Sequence, residues 1–207
     1  MGYVPPMNQE WQIRTPDRHQ VERIQRILGC SPVTATVLAN RGIDGEDGII
    51  RYMNLSLADL RPPFAIKDMD AAVRRIAQAI EDRERVLIFG DYDVDGITAV
   101  TLLLEFFRGL GLDADYYIPH RCHEGYDLQV DHVFGVALPR EADLIITVDC
   151  GSSRHEAVRS AKESGIDVII TDHHTITSPP KAAAVVNPRR TDCTAGFDHL
   201  AGVGVAF

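Results

Sequence analysis

The sequence has no apolar run approaching the ~20 residues a membrane-spanning helix needs, which excludes an integral α-helical membrane protein. Its first ten residues, Met1 to Glu10, lack both a basic segment and an apolar core, so they do not read as a secretory signal. A soluble, cytoplasmic compartment is the expectation. Cysteine is scarce: Cys30, Cys122, Cys150 and Cys193 are scattered, with no Cys-x-x-Cys, and are read as free thiols rather than a disulfide framework. His120-Arg121-Cys122-His123 fits no common structural zinc spacing. Basic excess is missing too. Thirty acidic against 21 basic residues give a net charge of −9, which argues against a nonspecific nucleic-acid binder. The argument is incomplete, because a divalent-metal site also concentrates carboxylates. What the sequence has in quantity is apolar material: 45% hydrophobic residues, enough for a substantial core.

Up to about residue 80 the chain carries short helical signals separated by breakers. Thr15-Pro16-Asp17 reads as an N-cap with proline in the first turn, Val21, Ile24, Ile27 and Leu28 recur at helical spacing, and Gly29 is the stop. Ser31-Pro32 starts a second helix, stopped by Gly42, and Arg61-Pro62-Pro63 is a break. Val73, Ile76, Ala77 and Ile80 form the apolar face of a connecting helix. From Arg85 the pattern changes. Short uninterrupted apolar runs occur at Val86–Phe89, Tyr116–Ile118, Leu144–Val148, Val168–Ile170 and Ala184–Val186. A helix is expected from Ile97 to Leu110, and another opened by a capping box at Ser153-Arg154-His155-Glu156. Non-alternating strands separated by helices indicate a mostly parallel sheet with helices on both faces. The expected fold class is therefore α/β, with residues 1–80 a small helical subdomain plus connecting helix, and 81–207 the sheet domain. Leu200 to Phe207 reads as the start of a buried element, so the sheet domain is expected to be incomplete at its C-terminus.

The chemistry concentrates after strands. Asp91-Tyr92-Asp93-Val94-Asp95-Gly96 directly follows the first strand and offers three carboxylates at alternate positions, which repel one another unless cations neutralise them. Their hard oxygens suit magnesium or manganese. An EF-hand loop needs Glu six residues after its glycine, and Leu102 stands there. Asp149, in Thr147-Val148-Asp149-Cys150-Gly151, and Thr171-Asp172-His173-His174 also follow strands. Ligands in open α/β sheets bind outside the carboxyl ends of the strands, so three strand ends deliver these groups to one edge. Mixed Asp and His donors suit a two-metal centre, with manganese the leading candidate, in which one cation activates water and both stabilise a transferring phosphoryl group. Spare His and Arg side chains are available for the phosphate oxygens. Gly202-x-Gly204 lacks the third glycine of a nucleotide loop and reads as a packed helix start.

The order Asp91-Tyr92-Asp93-Val94-Asp95-Gly96, Asp149-Cys150-Gly151, Asp172-His173-His174 resembles the DHH phosphoesterase family. Within it the chain is most similar to the RecJ-type exonucleases. That similarity includes His120-Arg121 through Gly125-Tyr126, Asn187-Pro188-Arg189-Arg190, the Leu200–Phe207 tail and the leader containing Trp11. The resemblance implies that Asp93, Asp95, Asp149 and His173 are metal ligands, Asp149 bridging and catalytic, and that Asp91 is a ligand or a close supporting carboxylate. It implies that His174 is catalytic, contacting the scissile phosphate or assisting proton transfer, that Arg121 either binds phosphate or braces its loop, and that Asp172 orients a neighbouring histidine. The implied activity is a manganese- or magnesium-dependent 5′→3′ exonuclease on single-stranded DNA, acting in recombination and repair, with two ions per complete site. A helicase and a single-strand-binding protein are partners it allows. Alternatives are a DHH phosphodiesterase acting on short RNA oligomers or cyclic dinucleotides, and a metal-free scaffold that keeps only the fold. The chain departs from the pattern at Asp127, where relatives often carry glycine after Gly-Tyr. It also lacks a further metal-binding aspartate and a C-terminal nucleic-acid-gripping domain expected beyond residue 207, so this stretch alone is expected to show little nuclease activity.

Overall fold

A computed structural model describes residues 12–207; Trp11 lies outside the described residues. These residues form two compact units, one ending at Arg61 and one running from Pro62 to Phe207.

The first unit holds three helices, α1 (Arg18–Leu28), α2 (Pro32–Asn40) and α3 (Glu46–Met53), around Ile24, Ala35, Leu38, Ala39 and Ile49. Ser31 caps α2 by accepting from Thr34 N, with Pro32 in the first turn, as expected. α1 starts later than Thr15-Pro16 suggested: Asp17 is the cap and accepts from His19 N. An aspartate there satisfies a free N–H of the first turn, and that outweighs the Thr-Pro signal.

The second unit is a five-stranded, all-parallel sheet in the order β2-β1-β3-β4-β5, formed by β1 (Val86–Gly90), β2 (Ala114–Tyr117), β3 (Leu144–Val148), β4 (Asp167–Thr171) and β5 (Ala184–Val186). Every residue of β1 and β3 is buried, which is why their sequences are apolar without alternation. Odd and even strand positions feed two cores. Val86, Ile88, Leu144, Ile146 and Ile169 pack under α4 (Met69–Asp82), α5 (Val94–Gly109) and α8 (Gly202–Ala206). Leu87, Phe89, Ile145, Val168 and Ile170 pack under a short helix α6 (Val130–His132), the π-helical turn that continues it (Val133–Ala137), and α7 (His155–Glu163). The expected α/β architecture with helices on both faces is present.

Three details differ. α4 belongs to the sheet unit, and it buries Ala72 and Ala79 with Ile76 and Ile80 partly buried, whereas Val73 is exposed. Positions 72, 76, 79 and 80 share one side of a 3.6-residue helix, and Val73 lies about 100° away from Ala72. β2 begins two residues before Tyr116. α7 is capped by the backbone at Arg154 with no side-chain cap, so the Ser153 capping box does not form. Ser153 instead sits in the turn between Gly151 and Arg154, closed by a bond from Arg154 N to Gly151 O.

Candidate metal centre

The registers place three strand ends side by side. Gly90 pairs with Val148, and Val148 with Thr171. Asp91, Asp149 and Asp172 are therefore each the first residue beyond three aligned, adjacent strands. Parallel strands deliver like ends to one edge, which a sequence motif after each strand exploits.

Local backbone chemistry then aims each side chain. Asp93 caps α5, its Oδ1 accepting from Asp95 N (2.8 Å) and Gly96 N (3.1 Å). Gly96 is required where it stands, since a Cβ there would lie 2.4 Å from Asp91 O. Asp149 adopts the left-handed conformation, φ 61°, which aspartate tolerates better than most side chains. Gly151 follows at φ 103°, and a Cβ on it would meet Thr147 Oγ1 at 2.6 Å. Asp95 accepts from the first amides of α8, Gly202 N at 2.6 Å and Val203 N at 2.7 Å. Gly202 lies so close to the site that a Cβ would stand 2.5 Å from Asp149 Oδ1. The Gly202-x-Gly204 stretch is thus a packed helix start, as the sequence suggested.

Among the described residues two groups of donors can hold a cation: Asp91, Asp93 and Asp149, and Asp149, His173 and His174, the ligand atoms of each group lying within 4.8 Å of one another. Asp149 is common to both, the arrangement expected of a bridging carboxylate. Asp95 stands in neither group. It is close, with Oδ2 3.5 Å from His173 Nε2, but both its oxygens are engaged by α8. His173 Nε2 approaches Asp149 Oδ1 to 3.0 Å without the alignment of a hydrogen bond. Buried Asp149 Oδ1 consequently has no hydrogen-bond partner, and His173 Nδ1, the other ring nitrogen, has none either. Unsatisfied buried polar atoms are costly, and in a cluster of carboxylates they mark the place a cation would fill. Electrostatics agrees. Burial, then the nearby Asp95 and Asp93, push the Asp149 carboxyl up to about 7. Burial also raises Asp91, with Asp93 adding to it. A divalent cation reverses both effects. The donor set, hard carboxylate oxygens with an imidazole, fits manganese or magnesium.

Asp172 is buried and serves His174. Its Oδ1 lies 2.7 Å from His174 Nδ1 and accepts from the backbone N–H groups of His173 and His174, while Oδ2 accepts from Ser152 N. Burial opposes its ionisation, but the bonds from His174 and Ser152 outweigh that and hold the carboxyl below its ordinary value. The same bond raises His174 to about 9. Held this way in the metal-free protein, His174 suits a phosphate donor, and the Nδ1–carboxylate bond also leaves Nε2 free as a metal donor. Arg121 lies with its guanidinium 5.0 Å over the Tyr92 ring. Tyr92 meets Tyr126 edge-on, and Tyr126 meets His174 edge-on, each pair 6.3 Å between centroids.

Sequence reasoning assigned no role to Asn187, which is fully buried just past β5. It donates to Ser152 Oγ (2.8 Å) and to His174 O (3.0 Å), tying the loops of three strand ends together. A lone asparagine before a proline carries no signal for this. Its partners are 35 and 13 residues away.

The family model described as the DHH family, N-terminal domain, matches residues 85–207. The single-stranded-DNA-specific exonuclease RecJ of Bacillus subtilis is 40% identical over 198 residues, covering 95% of this chain and 25% of that protein. RecJ of Salmonella typhimurium is 36% identical over 203 residues, 97% of this chain and 34% of that protein. Of solved structures, RecJ from Thermus thermophilus in complex with Mn2+ superposes with a TM-score of 0.72 at 29% identity, over 94% of this chain and 27% of that one. An exonuclease RecJ bound to manganese gives a TM-score of 0.62 at 34% identity, over 71% of this chain and 37% of that one. The chain spans about a quarter to a third of the length of these curated relatives.

Proposed function

This chain belongs to the DHH family, and on that premise we propose that it carries the metal-binding part of a manganese- or magnesium-dependent exonuclease that hydrolyses single-stranded DNA, working from the 5′ end, in a cytoplasmic repair and recombination role. The observation that carries this reading is the shared Asp149, buried with an unpartnered oxygen between two groups of donors. The relatives named single-stranded-DNA-specific exonucleases, and the RecJ structures with manganese, support the substrate and the ion. Among the described residues, no helix is long and apolar enough to cross a membrane.

Asp91, Asp93, Asp149 and His173 would hold the ions, with Asp95 beside them. When bound, the ions act as Lewis acids that lower the pKa of water and offset charge on the phosphoryl oxygens. The residues supply the rest. Asp172 fixes the His174 ring through Nδ1 and keeps it protonated, leaving Nε2–H to donate to a non-bridging phosphate oxygen. Backbone N–H groups of Ser152, His173 and His174 fix the Asp172 carboxylate, so the ring cannot rotate without breaking its bond to an anchored partner. Arg121, over the ring of Tyr92 between Asp91 and Asp93, would supply a second cation for a neighbouring phosphate.

The test is manganese-dependent digestion of end-labelled single- and double-stranded DNA by the full-length protein, with Asp149→Ala as control. Loss of the single strand alone, from its 5′ end and absent in the variant, is the expected result. An intact single strand with cleavage of short RNA oligomers or cyclic dinucleotides would transfer the site to those substrates. No manganese binding in a calorimetric titration would leave only a scaffold.

A further inference from the structure

Two loops frame the candidate centre, one after β2 and one after β3, and a single ion pair joins them. Asp127 closes the segment that carries Arg121 and Tyr126. Arg154 stands at the end of the loop that Asp149 begins. Arg154 Nε lies 2.8 Å from Asp127 Oδ2, and Arg154 Nη2 is 3.5 Å from Tyr126 O. The guanidinium is therefore paired with the carboxylate by charge, Nε lacking hydrogen-bond alignment, and reaches the preceding carbonyl through Nη2.

Asp127 is an unusual place to find a carboxylate. It is only 6% exposed, it takes φ 71°, and it belongs to neither group of metal-competent donors. A left-handed backbone is costly for a side chain, and a buried charge is costly without a partner. Something must hold it there, and its surroundings are rigid on the downstream side. Asp127 Oδ1 accepts from Leu128 N at 2.7 Å, and Leu128 is fully buried in the core beneath β1 and β3. On the upstream side is Tyr126, whose ring edge meets both Tyr92 and His174. The pair is the clasp between a fixed core residue and a ring that walls the site.

We infer that Asp127 and Arg154 are positioning residues, whose ion pair holds the Tyr126 ring against His174 and so sets the wall on which a phosphodiester substrate is seated. This rests on the phosphodiesterase reading of the site. The pair touches neither the reacting atoms nor the metal-competent groups. Its loss should weaken substrate placement while leaving the ion site intact.

The substitutions are Asp127→Gly, Arg154→Gln, Arg154→Lys and the double Asp127→Gly/Arg154→Gln, in the full-length protein. Asp127→Gly removes the side chain and the backbone penalty together, so a defect cannot be blamed on strain. Two readouts apply. The first is the His174 ring-proton resonances of the metal-free, histidine-labelled protein, assigned with His174→Gln; these sense the Tyr126 ring and need no activity, and because the Asp127 charge also acts on His174, Arg154→Gln, which keeps that carboxylate, is the deciding variant. The second is KM and kcat on 5′-phosphorylated single-stranded DNA with manganese. Asp127→Gly and Arg154→Gln are expected to shift the His174 resonances and to raise KM about tenfold, with kcat within about threefold. The double variant should be no worse than either single, and Arg154→Lys, which keeps the charge without the fork, should fall between. Unmoved resonances, or additive effects in the double, overturn the inference, as does a kcat loss that only tracks a lower melting temperature. If the full-length protein does not cleave the DNA, the reading of the site fails while the resonances still decide the clasp.

Discussion

With its carboxyl raised to about 7, Asp149 holds a proton in the folded, metal-free protein that the unfolded chain has released above its ordinary value of 3.8. Stability from this group therefore falls as pH rises from 3.8 through 7. Asp149→Asn, which suits the same left-handed backbone, should make the metal-free protein more stable at pH 8 by on the order of 2–4 kcal/mol, while manganese affinity drops at least about 100-fold. Urea melts in EDTA together with calorimetric titration would check both. His174 has the same sign in a higher pH window. Raised to about 9 by Asp172, it contributes stability that is complete below pH 6.5 and lost as pH climbs through 9. Asp172→Asn should return its ring titration, followed by NMR in metal-free protein, toward 6.5. The residues legible from sequence were those that stand directly after strands: Asp91, Asp149, Asp172 and His173. Asn187 and Arg154 were not legible, because their partners are set by tertiary contacts that no local spacing records. Asp95 was read as a ligand, but nothing in its local motif indicates that helix α8 returns to take both its oxygens.

At the scale of elements, the strands were readable because burial on both faces leaves no polar alternation to confuse them. Boundaries failed where a competing cap or a sheet edge decided the end, as at Asp17, Arg154 and Ala114. The α4 face failed at Val73 and Ala77, both exposed, because a β-branched valine looks like core while the smaller Ala72 and Ala79 are what fit against the sheet. Two elements make sharp predictions. Gly202→Ala drives a Cβ into Asp149, so it should cost about 1–3 kcal/mol and weaken manganese binding, read by urea unfolding and titration. α6 ends in His132, buried against Phe89 and Tyr117, with Nδ1 accepting from Gln129 N. Burial holds its pKa below the ordinary value, with Glu124 only partly opposing. The unfolded chain then takes up the proton first, so stability should fall as pH drops below 6.5. His132→Gln should flatten that acid limb in melting temperature against pH.

For the whole molecule, the net charge of −9 includes carboxylates that a divalent-ion site gathers in one place. Five of the carboxylates, Asp91, Asp93, Asp95, Asp149 and Asp172, stand at one edge of one sheet, where divalent ions would cancel much of their field. The two compact units have their own apolar clusters, so a ligand of the second should protect that unit selectively. Saturating manganese, at about 100 times its dissociation constant, stabilises its unit by about 2.7 kcal/mol. Hydrogen exchange should then slow at residues 90–96, 148–152, 172–174 and 201–204 and remain unchanged in α1 to α3.

The bond from α8 to Asp95 spans 107 residues in the chain. During synthesis, residue 95 leaves the ribosome long before residue 202 exists. Every earlier strand end can be in place while the aspartate beside them still lacks the amides that fix it. The final setting of Asp95 is therefore a late event in the life of the nascent chain, arriving only after the last strand of the sheet has been made. The donors from Asp91 to His174 are all made before the residue that pins their neighbour.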